Sequence, residues 1–464
     1  MKWVALTAIL ATIPVLIVWL RRNPLAAPKI GILIGVLPFL LSEFHLYMAA
    51  TSWEWPGYVK GIEFSILDAV ALALYFSLPS SGQRLPFQSS MMLYFCAALL
   101  SAIQTEMPMS AIFYVWQLAR MFLLYAVVVK ASAIPRMVPA VLTGLAIGLL
   151  IEAGFGIWER FGAGIHQVGG TVGNQNLLGL ISHLIVFPFF ALLLTRRSGR
   201  LPVAVLLAGI VIEILTASRA TIGLAGLAYG VIFLLSSLRQ WSGKKAVVLL
   251  IALVAVAVIV PLAQSALELR GTDALNSSDD ERVVFERAAA MMLSDHPMGV
   301  GANNYVLTAN MGGYNFAAGV VPTLGSMSAN VHNVYWLVAA ETGYLGLGTF
   351  LLLLLRPLTV AFICGWRSRG DQRGDLLLGL GVALLAVYIH SLFEWIFVTF
   401  VAQYIYAIVV GLVVGVAQQL GFWRPVQAWK MAALAPVMSN QPARSLVQIG
   451  SSLRERRPSH VTAR

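Results

Sequence analysis

Residues 246–266 read AVVLLIALVAVAVIVPLAQSA, a run of 21 residues without a charged side chain. An α-helix of about 20 apolar residues spans the hydrocarbon core of a bilayer. A polar segment, residues 267–331, follows this run and contains three arginines, seven carboxylates and no lysine. The contrast predicts a membrane protein whose functional groups are concentrated in this one large polar segment.

Apolar runs of similar length recur along the whole chain. Apolar residues make up 59% of the sequence and charged residues 11%, against about 45–50% and 25% in soluble domains. The short alternating segments of transmembrane β-barrels are absent. The sequence therefore predicts an all-α polytopic membrane protein with thirteen spans, or twelve if one weak span at 30–48 or 109–130 is misassigned. The predicted spans are 3–20, 30–48, 62–79, 88–105, 109–130, 136–156, 176–195, 201–217, 220–238, 246–266, 333–355, 376–394 and 397–419.

Basic side chains lie in the short connections at alternate ends of these spans and in the last 44 residues, 421–464. The positive-inside rule places such connections in the cytoplasm, which puts the amino terminus and the polar segment on the outer face. The net charge of +11 therefore reports topology and does not indicate nucleic-acid binding. We predict transmembrane helices in 1–266, an outer-face segment in 267–331, further transmembrane helices in 332–420, and a basic cytoplasmic tail in 421–464 that contacts membrane lipid.

The sequence lacks the common cofactor motifs. There is no Walker A or GxGxxG phosphate loop, no EF-hand pattern and no Cys/His cluster at zinc spacing. The two cysteines, Cys96 and Cys364, lie in or at the edge of apolar segments and indicate neither a disulfide framework nor a metal site. We therefore predict no metal ion and no cofactor.

Three arginines are candidate anion ligands. Arg219 lies between two predicted spans, while Arg282 and Arg287 lie on a predicted amphipathic helix, residues 279–293. A guanidinium group binds phosphate oxygens bidentately and stays charged at physiological pH. Simpler explanations remain open, since Arg219 can extend to the membrane surface and Arg282 can pair with Glu286 one helical turn away. Arg282 and Arg287 are separated by about 140° around the helix, so they need not share a face.

His332 is the candidate general base. It lies where the polar segment meets the next apolar run, beside Asn333. A helix N-terminus favours the neutral imidazole that a general base needs, and histidine is the side chain most often used for this chemistry. A lone histidine is nevertheless more often structural than catalytic.

Four further polar side chains are candidate supporting residues: Asn333, Asn174, His390 and Glu394. His390 and Glu394 are four residues apart in a predicted span, so one helix face would carry both as a buried pair or as part of a cavity lining. Asn174 belongs to a glycine- and amide-rich stretch, residues 169–176. That stretch either caps the following helix or offers backbone N–H groups to an anion.

Several of these residues occur in motifs that resemble the O-antigen ligase and Wzy polymerase superfamily. The resemblance covers roughly residues 170–395 and depends on the order and spacing of short motifs. The motifs are Gly173-Asn174-Gln175-Asn176, Ser218-Arg219-Ala220, Arg282, Asp295-His296-Pro297-Met298-Gly299 with Val300-Gly301-Ala302-Asn303-Asn304-Tyr305, His332-Asn333, Glu341-Thr342-Gly343-Tyr344-Leu345-Gly346, and His390 with Glu394.

The resemblance implies a fold like that of the metal-independent GT-C membrane glycosyltransferases, usually with twelve spans. It implies an inverting transfer of a glycan from undecaprenyl diphosphate to an acceptor, at the periplasmic face of the bacterial inner membrane. His332 would be the general base, and Arg219 and Arg282 would bind the diphosphate. Arg287 carries over less directly, because the family varies at this position.

Three activities within the superfamily remain open. A single polar segment of this length favours a ligase that transfers O-antigen to lipid A–core oligosaccharide, since polymerases often divide their basic motifs over two loops. A Wzy-type polymerase is the first alternative, and a protein O-oligosaccharyltransferase, which tends to be longer, is the second. A transporter or flippase for polyprenyl-linked glycans is an alternative from another class.

Overall fold

Apolar helices make up most of the structure, a computed structural model that describes residues 2–51, 55–79, 84–196, 198–268 and 272–423. The polar segment's Arg270 and the predicted tail from residue 424 onward lie outside these ranges. The protein is 76% helical, which confirms the predicted all-α polytopic membrane protein.

Each predicted span contains a helix. The helices before the polar segment are α1 Lys2–Arg22, α2 Ala27–Leu40, α3 Ile66–Ser77, α4 Gln88–Ser101, α5 Pro108–Ala131, α6 Met137–Phe161, α7 Gln175–Leu193, α8 Leu201–Leu215, α9 Arg219–Arg239 and α10 Gly243–Glu268. Those of the polar segment are α11 Thr272–Asp295, α12 Tyr305–Met311 and α13 Tyr314–Ala318, and those after it are α14 Val334–Arg367, α15 Gln372–His390 and α16 Phe400–Gln419. Strands β1 and β2 are Tyr47–Thr51 and Gly61–Ser65.

The described helices are compatible with both predicted span counts. Eight of them are long and apolar enough to cross a membrane, and three shorter apolar helices are α3, α4 and α8. The remaining pair, α1 and α2, is bent by 111°. Counting this pair as one span gives nine spans. The predicted twelve is reached if the three shorter helices also cross the membrane, and thirteen if the bent pair is then counted as two.

An antiparallel β-hairpin interrupts the second and third predicted spans, so the boundaries 30–48 and 62–79 were wrong. Helix α2 stops at Leu40, and α3 begins only after β2. Ser65 ends β2 and caps α3: its side chain accepts from the backbone N–H of Asp68, and the Asp68 carboxylate accepts from the N–H of Ser65. This reciprocal cap fixes the start of α3 inside an otherwise apolar run.

The predicted amphipathic helix is confirmed and is longer than expected, since α11 begins at Thr272. Its buried face carries Phe285, Ala289 and Met292, each fully buried. This spacing of four and three residues places the three side chains on one helix face, which packs against α14.

A sharp kink in α14 receives the loop that follows α11. At Gly343 the backbone has φ 68° and ψ −172°, a conformation that is essentially restricted to glycine. A Cβ there would lie 2.3 Å from the carbonyl oxygen of Pro297. Three backbone hydrogen bonds join loop and kink: Val300 N to Ala340 O at 3.0 Å, Gly301 N to Glu341 O at 2.9 Å, and Tyr344 N to Pro297 O at 3.1 Å. The motif that begins at Asp295 and the motif that begins at Glu341 therefore form one packed unit.

The directions of the helices bring four helix ends together. Helices α7 and α9 run parallel, because residues later in α7 contact residues later in α9. Helix α15 runs antiparallel to both. The N-terminal ends of α7, α9 and α14 therefore lie with the C-terminal end of α15. The contacts that fix these directions are His183 Nε2 to Thr221 O at 3.3 Å, the rings of Phe187 and Tyr229 at 5.4 Å, Arg239 Nη1 to Asp375 Oδ1 at 2.8 Å, and Val334 N to Ser391 O at 2.9 Å.

Candidate functional site

Glu394 is the centre of a polar cluster where these four helix ends meet. Its side chain is only 4% exposed, yet three side chains from distant parts of the chain contact its carboxylate. The contacts are Arg282 Nη2 to Oε1 at 3.2 Å, Asn176 Nδ2 to Oε1 at 2.7 Å, and His332 Nδ1 to Oε2 at 3.3 Å. A buried carboxylate of this kind is stable when donors satisfy its oxygens. We call these four residues the Glu394 cluster.

Local helix caps position two members of the cluster. Asn174 caps α7 by accepting a hydrogen bond from the backbone N–H of Leu177 at 2.9 Å, which places Asn176 in the first turn. Asn333 caps α14 by accepting from Tyr335 N at 3.0 Å, and this holds the preceding His332 at the helix end. The two asparagines are therefore helix caps, and Asn176 and His332 beside them contact Glu394.

Asn333 also connects the polar segment to α14. Its Nδ2 donates to Oε1 of Glu286 on α11 at 3.0 Å. One turn of helix α11 therefore supplies both Arg282, which contacts Glu394, and Glu286, which contacts the cap beside His332. This tie fixes α11 against the start of α14.

The geometry of His332 suits a base oriented by a carboxylate. The His332 side chain is 29% exposed, and its ring centroid lies 6.2 Å from that of the buried Phe285. The carboxylate of Glu394 can only accept, so a neutral His332 donates from Nδ1 and keeps the lone pair of Nε2. This tautomer leaves the second ring nitrogen able to take a proton from a substrate.

The structure separates the two arginines of α11. The Arg282 side chain is 28% exposed and faces Glu394. Arg287 is exposed and donates from Nη1 to the carbonyl oxygen of Ala318 at 3.3 Å, which ties α11 to the end of α13. Their separation around the helix explains this difference, and Arg287 does not join the Glu394 cluster.

Arg219 lies at the same end of the bundle as the cluster. It is the first residue of α9 and is exposed. Two residues later, Thr221 packs against Gly179, where a Cβ would lie 2.1 Å from its Oγ1. Gly179 is less than one turn from Asn176 along α7. Arg219 therefore extends from the same set of helix N-termini that surrounds Glu394.

His390 and Glu394 do not share a helix face, and this expectation was wrong. Helix α15 ends at His390, and Glu394 lies beyond the turn that follows. His390 is fully buried, and its ring centroid lies 5.7 Å from that of His183. Within the described residues neither ring nitrogen of His390 has a hydrogen-bond partner. A spacing of four residues places two side chains on one face only within a continuous helix, and α15 ends before Glu394.

The backbone N–H groups of the glycine-rich stretch before α7 already bind carboxylates of the protein. Gly169 N and Gly170 N donate to Oε2 of Glu159 at 3.0 and 2.8 Å, and Thr171 N donates to Oε2 of Glu152 at 2.9 Å. The stretch therefore does bind anions, but these anions are side chains of α6.

Glu341 forms a second buried carboxylate centre in the packed unit at the α14 kink. It accepts from Tyr58 Oη at 2.6 Å and from the backbone N–H of Tyr305 at 3.0 Å. Burial first, and then the negative charge of Glu341, raise the pKa of Tyr58 well above its usual value. Tyr58 therefore remains a neutral donor, and Glu341 organises the loop that precedes α12.

Sequence reasoning missed Asn176 and Glu286 as contacts of the site. Asn176 was inside a recognised motif, but the sequence does not distinguish the capping asparagine from the one that reaches across the fold. Within the described residues, no group of three or more His, Cys, Asp and Glu side chains is arranged to hold a metal ion.

Part of the chain matches the model of a known protein family. Residues 203–351 match the family model described as O-antigen ligase. This stretch includes Arg219, Arg282 and His332 and ends before Glu394. A search of curated proteins gives no match. The family match supports membership of this multi-pass membrane protein in the O-antigen ligase superfamily.

Proposed function

We propose that this protein is an O-antigen ligase. It transfers O-antigen polysaccharide from undecaprenyl diphosphate to a sugar hydroxyl of lipid A–core oligosaccharide, at the periplasmic face of the bacterial inner membrane. The observation that carries the proposal is the contact of one buried carboxylate, Glu394, with both Arg282 and His332. The candidate base His332 and the candidate phosphate-binding residue Arg282 thereby lie at the same carboxylate.

His332 acts as the general base. Its Nε2 takes the proton from the acceptor hydroxyl as that oxygen attacks the anomeric carbon of the donor. Glu394 holds the ring through Nδ1 and stabilises the imidazolium that forms, as a carboxylate does in other oriented bases. The distance of 3.3 Å is long for a hydrogen bond, and such contacts commonly shorten when substrate binds.

Arg282 and Arg219 bind the diphosphate. As the new glycosidic bond forms, the bond from the anomeric carbon to the diphosphate oxygen breaks, and its electron pair leaves with undecaprenyl diphosphate. Guanidinium groups that face the developing charge stabilise this transition state electrostatically. One displacement step inverts the anomeric centre and needs no carboxylate nucleophile.

Arg282 has a second task in this scheme. Its contact with Glu394 at 3.2 Å offsets part of the negative charge of the carboxylate. The guanidinium therefore links the leaving group to the base through one shared carboxylate. Asn176, at 2.7 Å, keeps this carboxylate in place.

The test is transfer by the purified protein in proteoliposomes that contain lipid-linked O-antigen and rough lipopolysaccharide. Wild type should produce lipopolysaccharide of lower gel mobility, and His332→Ala should bind donor but form product at least about a hundredfold more slowly, the loss expected when a general base is removed. His296→Ala is the matched control, because His296 is an exposed histidine of the polar segment with its ring near Tyr314. Turnover of His332→Ala at the wild-type rate would remove the general-base assignment.

The same assay separates the alternatives. Longer lipid-linked glycan without modified lipopolysaccharide would indicate a Wzy-type polymerase, and glycan on added acceptor protein would indicate a protein O-oligosaccharyltransferase. Movement of the lipid-linked glycan across the bilayer without any covalent product would indicate a transporter.

A further inference from the structure

A polar cavity lies at the opposite end of the bundle from Glu394. It has a volume of about 170 Å³ and is formed where α7 and α9 end and where α10 and α15 begin. A single water molecule needs only about 10–15 Å³ of comparable space. The cavity therefore has room for a group larger than one water molecule.

The lining of this cavity is mainly cationic. Three cations, Arg196, Arg239 and Lys245, face one carboxylate, Asp375, which leaves two positive charges uncompensated within the lining. The connections at this end are also the ones that the positive-inside rule predicts to be cytoplasmic. An anionic group is thus the ligand that the charge of the cavity favours.

Two of the three cations are held in place by the protein itself. Arg239 donates to Asp375 Oδ1 at 2.8 Å and to the carbonyl oxygen of Ser368 at 2.6 Å. Lys245 donates to the carbonyl oxygens of Ser236 and Gln240, both at 2.6 Å. These contacts satisfy the ends of helices and pre-organise the charges before any ligand arrives.

Other donors at the cavity lack partners within the described residues. The Arg239 side chain is 3% exposed, yet its Nε has no hydrogen-bond partner, and neither has the buried Oγ of Ser242. Arg196 is exposed, and among the described residues it makes no hydrogen bond or ion pair. Buried donors without partners are uncommon, and each of them calls for an explanation.

We propose that this cavity binds a phosphate group, supplied by the headgroup of an anionic phospholipid. A phosphate offers several oxygen acceptors, which fits one arginine Nε, one serine hydroxyl and a second guanidinium better than a single water does. Basic pockets between transmembrane helices on the cytoplasmic side recognise lipid headgroups in this way. Free phosphate shares the same chemistry, so the experiment separates the two sources.

The first arm measures lipid retention by native mass spectrometry of protein released from micelles with equimolar phosphatidylglycerol and phosphatidylcholine. Wild type should retain one phosphatidylglycerol molecule. Arg196→Ala should bind this lipid about tenfold more weakly, as expected for the loss of one charge-assisted contact. Arg200→Ala is the matched control, because Arg200 is an exposed arginine of the same connection that does not line the cavity.

A second pair of variants tests the buried donor. Ser242→Ala should weaken phosphatidylglycerol retention, whereas Ser237→Ala should not. Ser237 also has a buried hydroxyl without a partner, but it does not line the cavity. Equal retention in wild type, Arg196→Ala and Ser242→Ala would exclude the phospholipid headgroup as the source of the phosphate.

The second arm uses micelles of phosphatidylcholine alone and adds inorganic phosphate. One outcome is that phosphate raises the thermal unfolding midpoint of wild type but not that of Arg196→Ala, while the first arm shows no selective lipid retention. That combination would support the phosphate site and assign free phosphate as its ligand. No dependence on Arg196 in either arm would refute the site. Neither arm measures glycan transfer, so the outcome is independent of the proposed function.

Discussion

Replacing Glu394 by glutamine tests the central contact of the site with almost no change in shape. In the wild type, three donors converge on the two carboxylate oxygens. Glutamine keeps one oxygen, which Asn176 and Arg282 share, and turns an NH2 group towards His332. Because the amide can only donate there, Nδ1 of His332 must accept, and its proton moves to Nε2. The nitrogen that should take the acceptor proton is then already protonated.

The expected loss follows from the contact that disappears. A hydrogen bond to a charged group contributes about 1.5–3 kcal/mol, and the lower half of this range applies because the His332 side chain is 29% exposed. Each 1.36 kcal/mol changes a rate tenfold, so kcat should fall about 13- to 45-fold. KM for the lipid-linked donor should change about twofold or less, because Arg282 keeps its partner oxygen.

The assay is steady-state transfer to rough lipopolysaccharide, with kcat and KM measured separately and thermal unfolding measured on the same samples. Glu286→Gln is the matched control, because its remaining oxygen still accepts from Asn333 and it should retain near-wild-type kcat. The double variant Glu394→Gln with His332→Ala should be no slower than His332→Ala alone. A kcat for Glu394→Gln within about threefold of wild type, or additive losses in the double variant, would refute an action of Glu394 through His332.

Three further predictions concern the arginines, metal ions and the α14 kink. Arg282→Ala and Arg219→Ala should each cost about 2–5 kcal/mol in kcat/KM, towards the lower end because the Arg282 side chain is 28% exposed and Arg219 is exposed. Arg282→Lys should rescue only in part since lysine lacks the fork, and Arg287→Ala should stay near wild type. EDTA should leave turnover unchanged, and a loss that magnesium restores would contradict this expectation. Gly343→Ala should destabilise the protein by at least about 2 kcal/mol in unfolding experiments, whereas Gly348→Ala, which has open space around its Cβ position, should be nearly neutral.

The amino-acid sequence by itself determined that this is a helical membrane protein, where its helices lie and which segment is polar. These properties are local, because about 20 apolar residues in a row suffice for a span and charged connections follow directly from composition. The amphipathic helix of the polar segment was equally local, and its spacing correctly separated Arg282 from Arg287.

Local signals were less reliable at element ends. The hairpin before α3 lies within runs that are apolar enough to be read as continuous helix, and only the reciprocal cap at Ser65 and Asp68 reveals the start of α3. The sequence also did not reveal that α15 ends at His390. Glu394 follows four residues later, which is the spacing that a continuing helix would produce.

Tertiary structure alone decided which polar side chains meet. Residues 176, 282, 332 and 394 lie on four separate segments, and their contacts arise because α7 runs parallel to α9 and antiparallel to α15. A buried carboxylate requires donors from wherever the fold can supply them, and no periodicity in the sequence specifies those donors. The sequence thus identified Arg282 and His332 as candidates. The packing of four helix ends places Glu394 in contact with both of them.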